Sequence, residues 1–210
     1  RAGLSRLRRH LMMPALAASL ARLADDLARI PMAWALVGGF AVSARAEPRF
    51  TRDVDVCVVA DSDAAAEGLG MALTGMGYTV GSIVEHEYRH RLATIRLHSP
   101  VAEGGVVDLL FASSGVERET VEGAELLEIL PGLTVPVANA GHLVVLKLLA
   151  RDDGRPQDAM DLRALRSVLT ADDETEAHRL AGLVMARGFA RERDLPTLLS
   201  AYLAPGQAKG

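Results

Sequence analysis

Asp53 and Asp55 stand two residues apart at the head of the apolar run Val54-Asp55-Val56-Cys57-Val58-Val59. Side chains two apart on a strand project from the same face, so this spacing sets two carboxylates side by side. Such a pair repels itself and destabilises a strand unless a cation lies between the acids. Hard carboxylate oxygens suit Mg²⁺ or Mn²⁺. A third acid interrupts a second apolar strand, Val106-Val107-Asp108-Leu109-Leu110. A charge flanked by strand-forming aliphatics is rarely kept for packing. If the two strands are neighbours, Asp53, Asp55 and Asp108 can converge on one two-metal site, with ions about 3.5–4 Å apart.

The second chemical signal is Gly38-Gly39, which closes the apolar run Trp34-Ala35-Leu36-Val37 and precedes a short helical stretch, Phe40 to Ala46. A strand that enters a glycine turn and then a helix brings bare backbone N–H groups and the positive helix end together, a fit for a polyphosphate. Metal-holding acids opposite a phosphate cradle imply phosphoryl or nucleotidyl chemistry.

The remaining pattern predicts the elements that must hold these residues. Leu16, Leu20, Leu23, Leu27 and Ile30 fall at helical spacing and predict an N-terminal amphipathic helix. Strands are expected over 34–37, 54–59, 79–84, 92–97 and 106–111, with 79–84 and 92–97 joined as a hairpin. Asp61-Ser62-Asp63 offers caps for a helix running to about Met76 and ended by Gly77. A weaker helix is expected over 116–126, then short extended pieces near 128–130 and 133–137. From Asn139 onward the apolar spacing becomes helical throughout, over 143–150, 158–169, 175–187 and 195–203. The expected class is α+β, a mixed sheet flanked by helices over residues 1–138, with a helical C-terminal part over 139–210.

The order Gly-Gly, short helix, Arg49-Phe50-Thr51-Arg52-Asp53-Val54-Asp55 and a distant strand Asp resembles the polymerase-β-type nucleotidyltransferase superfamily. Within it the chain is most similar to the AbiEii-like (MenT-like) nucleotidyltransferases, toxins of type IV toxin–antitoxin systems. Their later Lys and Arg-x-Lys-Asp-x-x-Asp motif is echoed by Lys147 and by Arg155-Pro156-Gln157-Asp158-Ala159-Met160-Asp161. The likeness spans roughly residues 33 to 165 and departs at two positions. Phe40 stands where the superfamily usually has Ser, and Gln157 stands where the late motif has Lys. The resemblance implies metal binding by Asp53, Asp55 and Asp108, with nucleotide contact by Gly38, Gly39, Thr51, Arg52 and Lys147. Lys147, Asp158 and Asp161 are implied as further active-site residues. It also implies transfer of NMP from an NTP to an RNA acceptor, the 3′ end of tRNA, with Mg²⁺ or Mn²⁺ as cofactor and a cognate antitoxin as partner. A small-molecule, antibiotic-modifying nucleotidyltransferase uses a similar core and is the alternative. A non-catalytic scaffold is disfavoured, because an idle carboxylate cluster only costs stability.

Composition narrows the classes further. The 210 residues carry a net charge of −4, half of them are apolar, and a lone cysteine excludes both an internal disulfide and a Cys-based zinc site. A reducing cytoplasm fits that usage. Charge is uneven: residues 1–52 hold nine arginines against three acids, so the basic quarter could face phosphate or nucleic acid, or simply be a solvated helix face. The stretch Leu11 to Leu20 loosely imitates a signal peptide, but it contains Pro14 and is soon followed by Arg22, Asp25 and Asp26. It is too short and too polar to cross a bilayer. His86, His90 and His98 span a turn and a strand rather than one face, which favours ordinary hairpin histidines over a metal site. Cys57 is read as core, and no Gly-x-Ser-x-Gly motif supports acyl transfer.

Overall fold

The computed structural model describes residues 2–87, 89–101, 105–151 and 156–204, so Arg155 of the late motif and Arg1 lie outside the described residues. Among them, helix α1 (Ala2–Leu27) leads into β1 (Trp34–Val37), α2 (Gly38–Arg45) and β2 (Asp53–Val58). Then come α3 (Asp63–Gly75), the hairpin β3 (Thr79–Glu85) and β4 (Leu92–His98), β5 (Val106–Leu110) and α4 (Glu117–Glu122). A second hairpin, β6 (Glu125–Leu130) and β7 (Leu133–Val137), precedes four helices: α5 (Ala140–Ala150), α6 (Pro156–Arg166), α7 (Ala171–Ala186) and α8 (Leu195–Leu203).

The seven strands form one mixed sheet in the order β3-β4-β5-β2-β1-β7-β6. Two pairs are parallel, β2 with β5 and β1 with β7, and the other four pairs are antiparallel. The expected α+β class is what the chain adopts. Strand β2 shows why the alternation works: Val54 and Val56 are fully buried while Asp53 and Asp55, which alternate with them, are only partly buried. One face of the strand joins the core and the other presents acids. From α1, Leu16, Leu20, Leu23 and Leu27 enter the same core, each contributing about 2 kcal/mol of apolar burial. Helix α5 is nearly encased, packing against α2, α6, α7 and α8, which is why its sequence is apolar on almost every side.

Several element bounds differ from the sequence reading, and three differences have a clear local cause. The helix expected over 116–126 ends at Glu122, because Glu125 is already paired with Val137 at the start of β6. Cross-strand pairing outweighs the local helical tendency there. The helix expected from Thr175 begins at Ala171, where Thr170 and Asp173 form a reciprocal capping box. The glycine pair does not form a separate turn before the helix: Gly38 and Gly39 are the first two residues of α2 itself.

Candidate active site

The sheet order explains how acids 53 residues apart in sequence meet. In the parallel β2–β5 register Asp55 lies opposite Asp108, and Asp53 opposite Val106. One ligand oxygen from each of Asp53, Asp55 and Asp108 lies within 4.8 Å of the others. At that separation two carboxylates repel by on the order of 3 kcal/mol at an effective dielectric of about 20. The strain is visible in Asp55. Burial first, then the charges of Asp53 and Asp108, push its carboxyl up to about 7, against the pull of Lys147 and of the Gly39 backbone N–H that it accepts. Three hard oxygen donors that repel one another and lie within 4.8 Å of one another form a candidate site for a divalent cation.

Antiparallel pairing of β1 with β2 puts Val37 opposite Asp55, so the chain turns into α2 directly above that carboxylate. Gly38 has φ +62°, and a β-carbon there would sit 1.9 Å from Asp55 Oδ2. At Gly39 a β-carbon would meet Thr51 Oγ1 at 2.5 Å and Arg49 Nη2 at 2.8 Å. Both glycines exist because the acids and the 49–51 loop press against the helix start. Thr51 is buried, and its hydroxyl lies 3.3 Å from the Asp53 carbonyl. Arg52 is exposed beside the triad.

A second ionic cluster flanks the first. Lys147 Nζ on α5 sits 3.0 Å from Asp158 Oδ1 and 2.7 Å from Asp161 Oδ2, both on α6. Arg49 Nη2 donates to Asp161 Oδ2 at 2.6 Å from the loop before β2. Burial draws the Lys147 ammonium down, yet Asp161 and then Asp158 offset it and hold its pKa above the ordinary value. Asp158 and Asp161 sit in the first turns of α6, where two acids three apart could have been exposed partners of the helix dipole. They are instead buried, at 6% and 1% exposure, and paired to Lys147.

Residues taken from sequence thus fall into two adjoining groups: the triad under the α2 glycines, and the Lys147–Asp158–Asp161 cluster reaching it through Arg49 and Lys147. Sequence reasoning missed Arg96, on β4, whose guanidinium donates to both oxygens of Asp108 at 2.8 and 2.6 Å. Strand alternation puts Arg96 on the polar face, but only the β4–β5 register says which acid it faces. The histidines 86, 90 and 98 do not gather: among the described residues the acidic triad is the one group with metal-ligand geometry. His86 packs edge-on to Phe189, with ring centroids 4.8 Å apart. Cys57 is a fully buried core residue. Among the described residues no helix is long and apolar enough to cross a membrane.

A family model described as the nucleotidyl transferase AbiEii toxin of type IV TA systems matches residues 20–204. No curated protein sequence matches the chain. Among solved structures the chain is similar to an antigenic nucleotidyltransferase-like protein from Paracoccidioides brasiliensis. The two share 18% identity over 90% of this chain and 93% of that one, with a TM-score of 0.53. It is also similar to the solution structure of the antibiotic-resistance factor ANT(2″)-Ia, at 15% identity over 83% of this chain and 94% of that one, TM-score 0.55. A crystal structure of ANT(2″)-Ia in complex with adenylyl-2″-tobramycin gives 14% identity, coverage of 79% and 94%, and a TM-score of 0.52. At such identities the likeness establishes a shared fold, the nucleotidyltransferase fold.

Proposed function

We propose, for a chain that belongs to the AbiEii nucleotidyltransferase toxin family, that it moves a nucleoside monophosphate from an NTP to the 3′ hydroxyl of an RNA, as the toxin of a toxin–antitoxin pair. Nucleotidyl transfer follows from the family. The acceptor, the cofactor and the antitoxin are our reading. The observation that carries it is the convergence of Asp53, Asp55 and Asp108 within 4.8 Å beneath the amino end of α2.

Asp53, Asp55 and Asp108 would hold Mg²⁺ or Mn²⁺. When bound, such an ion supplies positive charge to the phosphate oxygens and lowers the pKa of a hydroxyl beside it. The protein's own groups then have definite tasks. The α2 amino end, kept bare by Gly38 and Gly39, faces the triphosphate with its N–H groups and positive dipole end. Thr51 Oγ1, beside the Asp53 carbonyl, and the exposed Arg52 would orient that chain of phosphates. The acceptor oxygen attacks the α-phosphorus, the bond to the bridging oxygen breaks, and pyrophosphate leaves with its charge countered by Lys147 and the α2 amides. An Asp108 carboxylate oxygen takes the acceptor proton. Asp158 and Asp161 hold the Lys147 ammonium in place, and Arg49 ties Asp161 to the loop that carries Thr51. The exposed Arg52 beside the triad favours a polyanionic acceptor.

Incubation with each α-labelled NTP and total RNA, and separately with aminoglycoside-like amines, tests the reading. Label in a defined RNA band, lost with EDTA, is the expected result. Label on the amine alone would assign the chain to antibiotic modification, a chemistry suited to the same fold.

A further inference from the structure

Asp108 is treated differently from the other two acids. Arg96 lies opposite it in the antiparallel β4–β5 register, and its Nε and Nη2 donate to Oδ1 and Oδ2 at 2.8 and 2.6 Å. Both oxygens of one triad member are therefore spoken for by a single planar fork, the stronger kind of ion pair. The hydrogen-bond donors to Asp53 and Asp55 are neutral: Thr51 Oγ1 lies 3.5 Å from Asp53 Oδ1, and Asp55 accepts the Gly39 amide. Among the described residues neither forms an ion pair. The arginine side chain is 47% exposed and the Asp108 side chain 10%. Arg96 thus reaches the acid from the solvent side and can swing away without opening a cavity in the core.

We propose that Arg96 is a displaceable internal counter-ion. It occupies Asp108 while the triad is empty of metal, and a divalent cation that takes Asp108 must first break at least one of its two bonds. The inference rests on the reading of the triad as a divalent-cation site, and makes that site asymmetric: Asp53 and Asp55 are open to a cation, whereas Asp108 is contested. Arg96 is a positioning residue, acting on the chemistry through Asp108. Its presence reduces the repulsion among the three acids in the metal-free protein, and its release is part of the cost of metal binding.

Mn²⁺ binding to the full chain without nucleotide, followed by the electron paramagnetic resonance signal of free Mn²⁺, tests this. In R96Q the competing cation is gone, and the dissociation constant should fall by about three- to tenfold, a span typical of removing one partly screened charge beside a site. R96K keeps a cation but not the fork, and should fall between R96Q and the wild type. A purely structural cross-strand role predicts the reverse, because loosening Asp108 would weaken binding. An unchanged or increased dissociation constant in R96Q overturns the proposal, as does an R96K value equal to wild type should R96Q fail to fold. D55N separates this from the underlying reading. If the wild type binds no Mn²⁺, or D55N binds it as the wild type does, the metal site itself is wrong. If D55N loses binding while the arginine variants do not differ from wild type, only the role of Arg96 falls.

Discussion

Gly38 and Asp55 are built against each other: a β-carbon on Gly38 would lie 1.9 Å from Asp55 Oδ2, closer than any non-bonded contact. The helix start and the carboxylate share one space, so neither can change without moving the other. Gly38→Ala must also place an L side chain at φ +62°, costing about 1–2 kcal/mol on its own. The expected result is a lowered melting temperature and a loss of transfer of about a hundredfold, the usual effect of displacing a reacting group by an ångström. Gly39→Ala has no positive φ to sustain and meets Thr51 and Arg49 at 2.5–2.9 Å rather than 1.9 Å, so it should be the milder variant. Turnover and thermal melts of the two, compared side by side, decide it. If Gly39→Ala proves as damaging as Gly38→Ala, the steric coupling to Asp55 is not what matters.

Asp55→Asn removes one of three mutually repelling charges while keeping the shape of the side chain. The metal-free variant should be as stable as wild type or more so, because burial and two neighbouring acids already make the Asp55 charge costly. Transfer should vanish. Mg²⁺ with NTP should raise the melting temperature of the wild type, by preferential binding to the folded state, and leave that of the variant almost unmoved. An equal rise in both proteins would remove Asp55 from the proposed metal site.

These acids were legible in sequence because their signal is local. Asp53 and Asp55 follow strand period, and Asp108 stands out against aliphatic neighbours. Their meeting depended on a parallel β2–β5 register that no single strand encodes, and the same is true of the Arg96–Asp108 pair. The Lys147 cluster shows the other limit. Asp158 and Asp161 look like ordinary first-turn acids, and their burial follows from partners on other elements, Lys147 on α5 and Arg49 before β2. Only the family resemblance drew attention to them. Among the elements, the sheet strands were readable from alternation, while the end of α4 was decided by pairing of β6 with β7.

The cluster makes its own prediction. Lys147→Met leaves Asp158 without its ion-pair partner in a nearly closed site, while Arg49 still holds Asp161. Removing one partner of a buried pair typically costs about 3–5 kcal/mol. Urea unfolding should show a loss of that order, and Asp158→Asn added to Lys147→Met should recover part of it by removing the stranded charge. Transfer should remain absent in the recovered double variant, since the ammonium proposed to counter the leaving pyrophosphate is still missing. Activity returning together with stability would reduce Lys147 to a structural role.

Helix α5 owes its position partly to a pair at its amino end. His142 Nε2, fully buried, lies 2.9 Å from Glu176 Oε1 on α7, and Arg179 Nη2 and Nε donate to the same carboxylate at 2.6 and 2.7 Å. Hydrogen bonding from Arg179 first, and from His142 after it, overcomes burial and holds the Glu176 carboxyl down at about 2, below its ordinary 4.5. The folded state therefore binds this proton more weakly than the unfolded chain does. Its stabilisation is fully present above about pH 4.5 and drains away as the pH falls through about 2. Glu176→Gln should accordingly be less stable than wild type at neutral pH, and the margin should narrow towards zero as the pH approaches 2. Urea midpoints measured across that range supply the comparison, with added salt expected to shrink the margin at neutral pH because the pair is partly exposed. A margin that stays the same at every pH would mean that the carboxylate charge contributes nothing, and that only packing holds α5 to α7.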